Sequence, residues 1–138
     1  MQDDSESGSP VGSSGVVLIA DDDEPIAQAL AYIVEECGGL PLVAAHGRQA
    51  LELALTYHPA LIITDLMMPQ MTGAELMAAL RADAAVGGYR PAAIVLMSAA
   101  GTQYMDSLGA DAVLPKPFDL TDVEALIERF LPRARREP

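Results

Sequence analysis

The chain reads as an α/β protein built on a doubly wound, five-stranded parallel sheet with helices on both faces. Three observations predict this. Short, continuous apolar runs recur along the sequence, as in strands covered on both sides. Segments of helical periodicity separate them, as βαβ units require. The alternation runs from residue 16 to residue 131 of a 138-residue chain, which suits one domain with a proper core.

The elements follow in order. Residues 1–15, "MQDDSESGSPVGSSG", are acidic and rich in Ser and Gly, so a disordered tail is expected there. "VVLIA" (16–20) is the first strand. In "PIAQALAYIVEEC" (25–37), Ile26, Leu30, Ile33, Val34 and Cys37 share one helical stripe, with Pro25 suited to the first turn. Gly38 and Gly39 stop that helix, and "LPLVAA" (40–45) is the second strand. "RQALELALTYH" (48–58) is helical and "ALIIT" (60–64) is the third strand. Thr72 and Glu75 stand at capping-box spacing in "MTGAELMAALRAD" (71–83), which starts a helix at Gly73. "AAIVLM" (92–97) and "DAVLP" (111–115) are strands four and five. "LTDVEALIERFL" (120–131) is the last helix, with Thr121 and Glu124 as its expected capping box. Its core stripe is Val123, Leu126, Ile127, Phe130 and Leu131. Residues 132–138 form a basic tail.

Composition narrows the function. The formal charge of −12 argues against direct binding of nucleic acid. Arg133, Arg135 and Arg136 in the tail read as a solvated linker. No apolar run approaches the ~20 residues that span a bilayer. The N-terminus lacks the basic and apolar regions of a secretory signal. A lone cysteine, Cys37, excludes an internal disulfide and fits a reducing cytoplasm. Cytoplasmic residence is the expectation. Lysine occurs once, at position 116, against seven arginines.

The polar residues fall at telling places. In an open parallel sheet, ligands bind beyond the carboxyl ends of the strands. "DDDE" (21–24) follows strand one, Asp65 strand three, Ser98 strand four and Lys116 strand five. Clustered carboxylates raise one another's pKa unless a counter-charge is present, and a hard divalent cation resolves the conflict. Mg²⁺ takes a few carboxylates plus waters and phosphate oxygens, so Asp21, Asp22 and Asp65 predict a Mg²⁺ site. Taken singly, an acidic run is usually a solvated loop and a lone strand-end Asp a helix cap. The sequence leaves open which two of Asp21, Asp22 and Asp23 bind.

"LIADDDEP", "IITDLMMPQMTGAEL", "IVLMSA" and "GADAVLPKPF" together resemble the receiver domain of bacterial two-component response regulators. The likeness covers about residues 16–131 and includes the spacing Asp65, Pro69, Gly73. It implies a flavodoxin-like, CheY-like sheet with strand order 2-1-3-4-5. It implies that Asp65 accepts a phosphoryl group from a sensor histidine kinase, a histidine phosphotransfer protein or a small donor. Asp21 and Asp22 would hold Mg²⁺ with Asp65 and the backbone carbonyl of Met67. Ser98 and Lys116 would contact phosphoryl oxygens, and the peptide from Lys116 to Pro117 would be cis. Such a chain catalyses its own phosphorylation and dephosphorylation and signals to a downstream protein target by a population shift.

The sequence departs from the family pattern in two places. Receivers often carry Tyr or Phe three residues before the lysine, where this chain has Val113, so an aromatic switch is not expected. Gly109 lies eleven residues after Ser98, so the fourth helix is expected to be shortened. The positions two beyond Asp65 and Ser98 are Met67 and Ala100, neither able to polarise a hydrolytic water, which predicts slow autodephosphorylation. Met68, Met71, Met77 and Met97 read as packing residues, and His46 and His58 as surface or loop residues.

Only seven residues follow Leu131, so the chain is either a stand-alone regulator or part of a larger regulator or hybrid kinase. Thr102–Leu108 carries no basic residue, so a monomer or weak dimer is expected. Two other readings compete. One is a receiver-like interaction domain that works without phosphorylation. The other is a haloacid-dehalogenase-type phosphohydrolase using Asp21 and Asp23, which leaves Asp65, Pro69 and Gly73 unexplained.

Overall fold

The computed structural model describes residues 15–99 and 108–131. Five parallel strands, β1 (Val16–Ala20), β2 (Leu40–Ala44), β3 (Leu61–Asp65), β4 (Ala93–Ser98) and β5 (Ala112–Pro115), form one sheet. Their spatial order is β2-β1-β3-β4-β5, as expected. Helices α1 (Glu24–Glu36), α2 (Gly47–Tyr57), α3 (Gly73–Gly87) and α4 (Leu120–Phe130) are the helices among the described residues. The expected shortened helix between β4 and β5 falls on residues 100–107, outside the described residues.

Alternation along each strand sends side chains to two separate cores. Val17, Ile19, Leu61, Ile63, Val95 and Met97 pack beneath α1 and α4, against Leu30, Val34, Val123 and Ile127. Leu18, Ile62, Ile94 and Leu96 pack beneath α2 and α3, against Ala50, Ala54, Leu76 and Leu80. Burying each of these large aliphatic chains stabilises the fold by roughly 1.5–3 kcal/mol. The inner strands β1, β3 and β4 are almost wholly buried, which matches their continuous apolar runs, whereas the edge strands β2 and β5 are partly exposed.

Local signals place the helix starts. Asp23 caps α1 by accepting the Ile26 N–H at 3.3 Å, with Pro25 in the first turn. Thr72 and Glu75 form the expected capping box of α3, at 3.1 and 2.9 Å. That helix runs on to Gly87, past the expected end, because Ala84, Ala85 and Val86 do not interrupt it. Gly88, at φ 72°, ends it. The last helix starts at Leu120, the first residue of the expected segment, but on a different cap. Its cap is Asp119, whose N–H donates to Asp122 Oδ2 at 3.4 Å, rather than Thr121 with Glu124. Asp is among the preferred N-caps, and it is the first such residue after Pro117 and Phe118.

Candidate phosphoacceptor site at the carboxyl edge

Parallel register brings the strand ends level. Ala20 pairs with Thr64, Asp65 with Met97, and Ser98 with Pro115. Asp21, Asp65, Ser98 and Lys116 therefore emerge along one edge of the sheet, as the sequence pattern anticipates.

Asp21, Asp22 and Asp65 offer oxygen atoms that all lie within 4.8 Å of one another. Asp21 is buried, Asp65 partly buried and Asp22 exposed. Lys116 reaches across from the end of β5, its Nζ 3.0 Å from Asp21 Oδ2 and 3.5 Å from Asp65 Oδ1. The other Asp21 oxygen accepts the Asp23 N–H at 2.9 Å. Burial raises the Asp65 pKa, helped by the charges of Asp21 and Asp22, while the nearby ammonium of Lys116 pulls it down and does not win. For Lys116, burial favours the neutral amine. Its hydrogen bond to Asp21 and the Asp65 charge outweigh that, and its pKa rises.

Three carboxylates facing one ammonium leave an excess of negative charge at a partly buried place. All the donors are hard oxygens, so the residues fit a hard divalent cation such as Mg²⁺. Asp23 serves the α1 cap, which keeps its side chain on the helix. Ser98 is buried at the end of β4, and its carbonyl accepts the Lys116 N–H at 2.9 Å. The Lys116–Pro117 peptide is cis. Met67 is exposed, whereas Met68, Met77 and Met97 are buried, as packing residues should be. Ala100 lies outside the described residues.

Several contributors escaped the sequence reading. His46 caps α2 through Nδ1, which accepts the Gln49 N–H at 3.2 Å. Gly47 packs so closely on the loop after β3 that a Cβ there would sit 2.2 Å from the Met71 carbonyl oxygen. Arg81 on α3 donates to the Gly109 carbonyl at 2.9 Å and lies 3.5 Å from Asp111. Asp111 in turn accepts the Ile94 N–H at 2.8 Å. Thr64 is fully buried, and its hydroxyl donates to the Asp65 carbonyl at 3.0 Å. Only Thr64 carried a legible signal, as a hydroxyl directly after the aliphatic run Leu61–Ile63. An apolar hollow lined by Pro25, Ile26, Ala29, Ala99, Pro117 and Phe118 opens beside Lys116.

A model of the response regulator receiver domain matches residues 17–128. The chain belongs to the response regulator receiver domain family. The receiver is 30% identical over 122 residues to response regulator Rre1 of Synechocystis, covering 85% of this chain and 52% of that protein. It is 32% identical over 123 residues to the alkaline phosphatase synthesis transcriptional regulatory protein PhoP of Bacillus subtilis, covering 86% and 49%. The chain thus spans about half the length of the curated relatives it matches. Chemotaxis response regulator CheY4 of Vibrio cholerae superposes with a TM-score of 0.74 at 28% identity, covering 86% of this chain and 99% of that one. Among the described residues of the receiver, no helix is long and apolar enough to cross a membrane.

Proposed function

We propose that the receiver accepts a phosphoryl group on Asp65 from a histidine kinase or histidine phosphotransfer protein. The observation that carries this reading is the convergence of Asp21, Asp22 and Asp65 within 4.8 Å, with Lys116 in contact with two of them. Asp21, Asp22, Asp65 and the Met67 carbonyl would hold Mg²⁺, which neutralises charge on the phosphoryl group during transfer. An Asp65 oxygen attacks phosphorus, the P–N bond to the donor histidine breaks, and its electron pair returns to the imidazole nitrogen. Lys116 exchanges its carboxylate contact for a phosphoryl oxygen, as a compact point charge can. Ser98, at the end of β4, donates its hydroxyl to another oxygen.

The apolar hollow beside Lys116 offers the donor protein a place to seat next to the acceptor. Such chemistry belongs in the cytoplasm, where these donors work. Residues 16–131 are the working domain, residues 1–15 and 132–138 its tails, and output passes through protein contacts.

The test is labelling of the intact chain with acetyl phosphate and Mg²⁺, followed by mass measurement of the protein and of Asp65→Asn. Wild type should gain one phosphoryl group and the variant none. Labelling that survives in Asp65→Asn but disappears in Asp21→Asn would favour the phosphohydrolase reading. A wild type that neither labels nor responds spectrally to beryllofluoride with millimolar Mg²⁺ would favour the phosphate-independent interaction domain.

A further inference from the structure

Thr64 is the penultimate residue of β3 and is completely buried. It shares its face of the sheet with Ile62, which points into the core beneath α2 and α3. Valine would fill the same volume there without a polar atom, so packing does not account for the hydroxyl. A buried hydroxyl without a partner costs about 1–3 kcal/mol. Thr64 escapes that cost in a particular way. Its Oγ1 donates to the carbonyl of the next residue, Asp65, at 3.0 Å, with the Met68 sulfur a second, weaker acceptor at 3.9 Å.

These two partners bracket Met67. Asp65 precedes the loop, Met68 closes it into the core, and Leu66 is tied on both sides of its peptide. The Leu66 N–H donates to Met97 O at 2.9 Å, and its carbonyl accepts the Gly73 N–H at 2.8 Å. Met67 itself is 67% exposed, so its side chain is not packed into the core as that of Met68 is. The direction of its backbone carbonyl is therefore inherited from its neighbours. Gly73 closes the same turn from the other side, where a Cβ would stand 2.5 Å from the Asp65 carbonyl oxygen.

We infer that Thr64 is a positioning residue for the divalent-cation site: its hydroxyl, bonded to the Asp65 carbonyl and abutting the Met68 sulfur, sets the aim of the Met67 carbonyl between them. The inference rests on the proposed phosphoacceptor reading, in which that carbonyl is a ligand. Residues that orient metal ligands typically change affinity by 10–100-fold when altered. Thr64 acts through the backbone, so the low end applies.

The experiment is calorimetric titration of the full chain with Mg²⁺, for wild type, Thr64→Val and Thr64→Ser, beside a thermal melt of each without the ion. Thr64→Val should bind Mg²⁺ roughly tenfold more weakly. Thr64→Ser keeps the hydroxyl and should stay within about twofold of wild type. Acetyl phosphate labelling of Thr64→Val should return to nearly the wild-type rate when Mg²⁺ is raised to saturation, because every carboxylate is intact. Equal affinities in wild type and Thr64→Val overturn the inference while leaving the phosphoacceptor reading standing. So does a tenfold loss in Thr64→Ser, which would assign the effect to the methyl group, and this arm decides even if Thr64→Val fails to fold. A wild type that takes up no Mg²⁺ removes both readings together.

Discussion

Replacing Lys116 with Met removes the one cation that contacts Asp21 and Asp65 among the described residues. The Asp21 side chain is fully buried, and its Oδ2 is 3.0 Å from the ammonium. At an effective dielectric of about 20, each of the two contacts is worth roughly 5 kcal/mol before desolvation is subtracted. Desolvation cancels most of that, yet deleting one partner strands the other charges. Breaking a buried pair in this way costs 3–5 kcal/mol. The low end, about 3 kcal/mol, applies because Asp21 keeps the Asp23 N–H and the lysine side chain is 17% exposed. With a urea slope near 1.5 kcal/mol/M, the midpoint should fall by about 2 M at pH 7 in EDTA.

The sign with pH follows from the raised pKa of Lys116. Its stabilisation is complete below the ordinary lysine value and is lost as pH rises through the raised one. Wild type should therefore weaken at alkaline pH in a way that Lys116→Met does not. At acid pH the gap should also narrow, as Asp65, whose pKa burial raises, takes up a proton and loses its attraction to the ammonium. A midpoint shift under about 0.5 M, a quarter of that expected from the urea slope, would refute the reasoning. So would a gap of equal size at pH 3 and pH 7.

Asp65→Asn should melt higher than wild type at pH 7, since the raised Asp65 pKa means that folding around the ionised group costs stability. The gap should vanish as pH falls below the ordinary carboxylate value, which melts at several pH values will show. Met67→Asn should shorten the half-life of the phosphorylated protein by about tenfold, less than full general-base catalysis provides, and an unchanged half-life in a radiolabel chase removes the shielding idea. Gly47→Ala should destabilise the fold by about 1–3 kcal/mol, because the new methyl must displace the Met71 backbone. Chemical denaturation measures that loss, and a neutral result would mean the loop yields freely.

Much of the receiver is legible in the bare sequence because its governing signals are local. "VVLIA" and "ALIIT" announce doubly covered strands, and Thr72 with Glu75 announces a helix start, since each depends only on near neighbours. The residues after each apolar run could be assigned to one edge because parallel strands share a direction. Helix ends were less legible. Asp119 and Thr121 are both competent caps, and the choice fell to where the chain turns out of Pro117 and Phe118.

What sequence alone determined was the alternation of strands and helices, the sheet class, and which residue types lie at its carboxyl edge. These follow from periodicity and from the chemistry of single side chains. Tertiary structure alone decided which atoms meet. The contact of Lys116 with Asp21 joins residues 95 positions apart, and no local pattern encodes a 3.0 Å distance across that span. The same holds for Gly47 against Met71 and for Arg81 against Gly109 and Asp111. Even Thr64, visible as an oddity in its strand, acquired a role only when the fold buried it beneath the loop that carries Met67. Burial and proximity are properties of the packed chain, and they turn a row of strand-end side chains into a site.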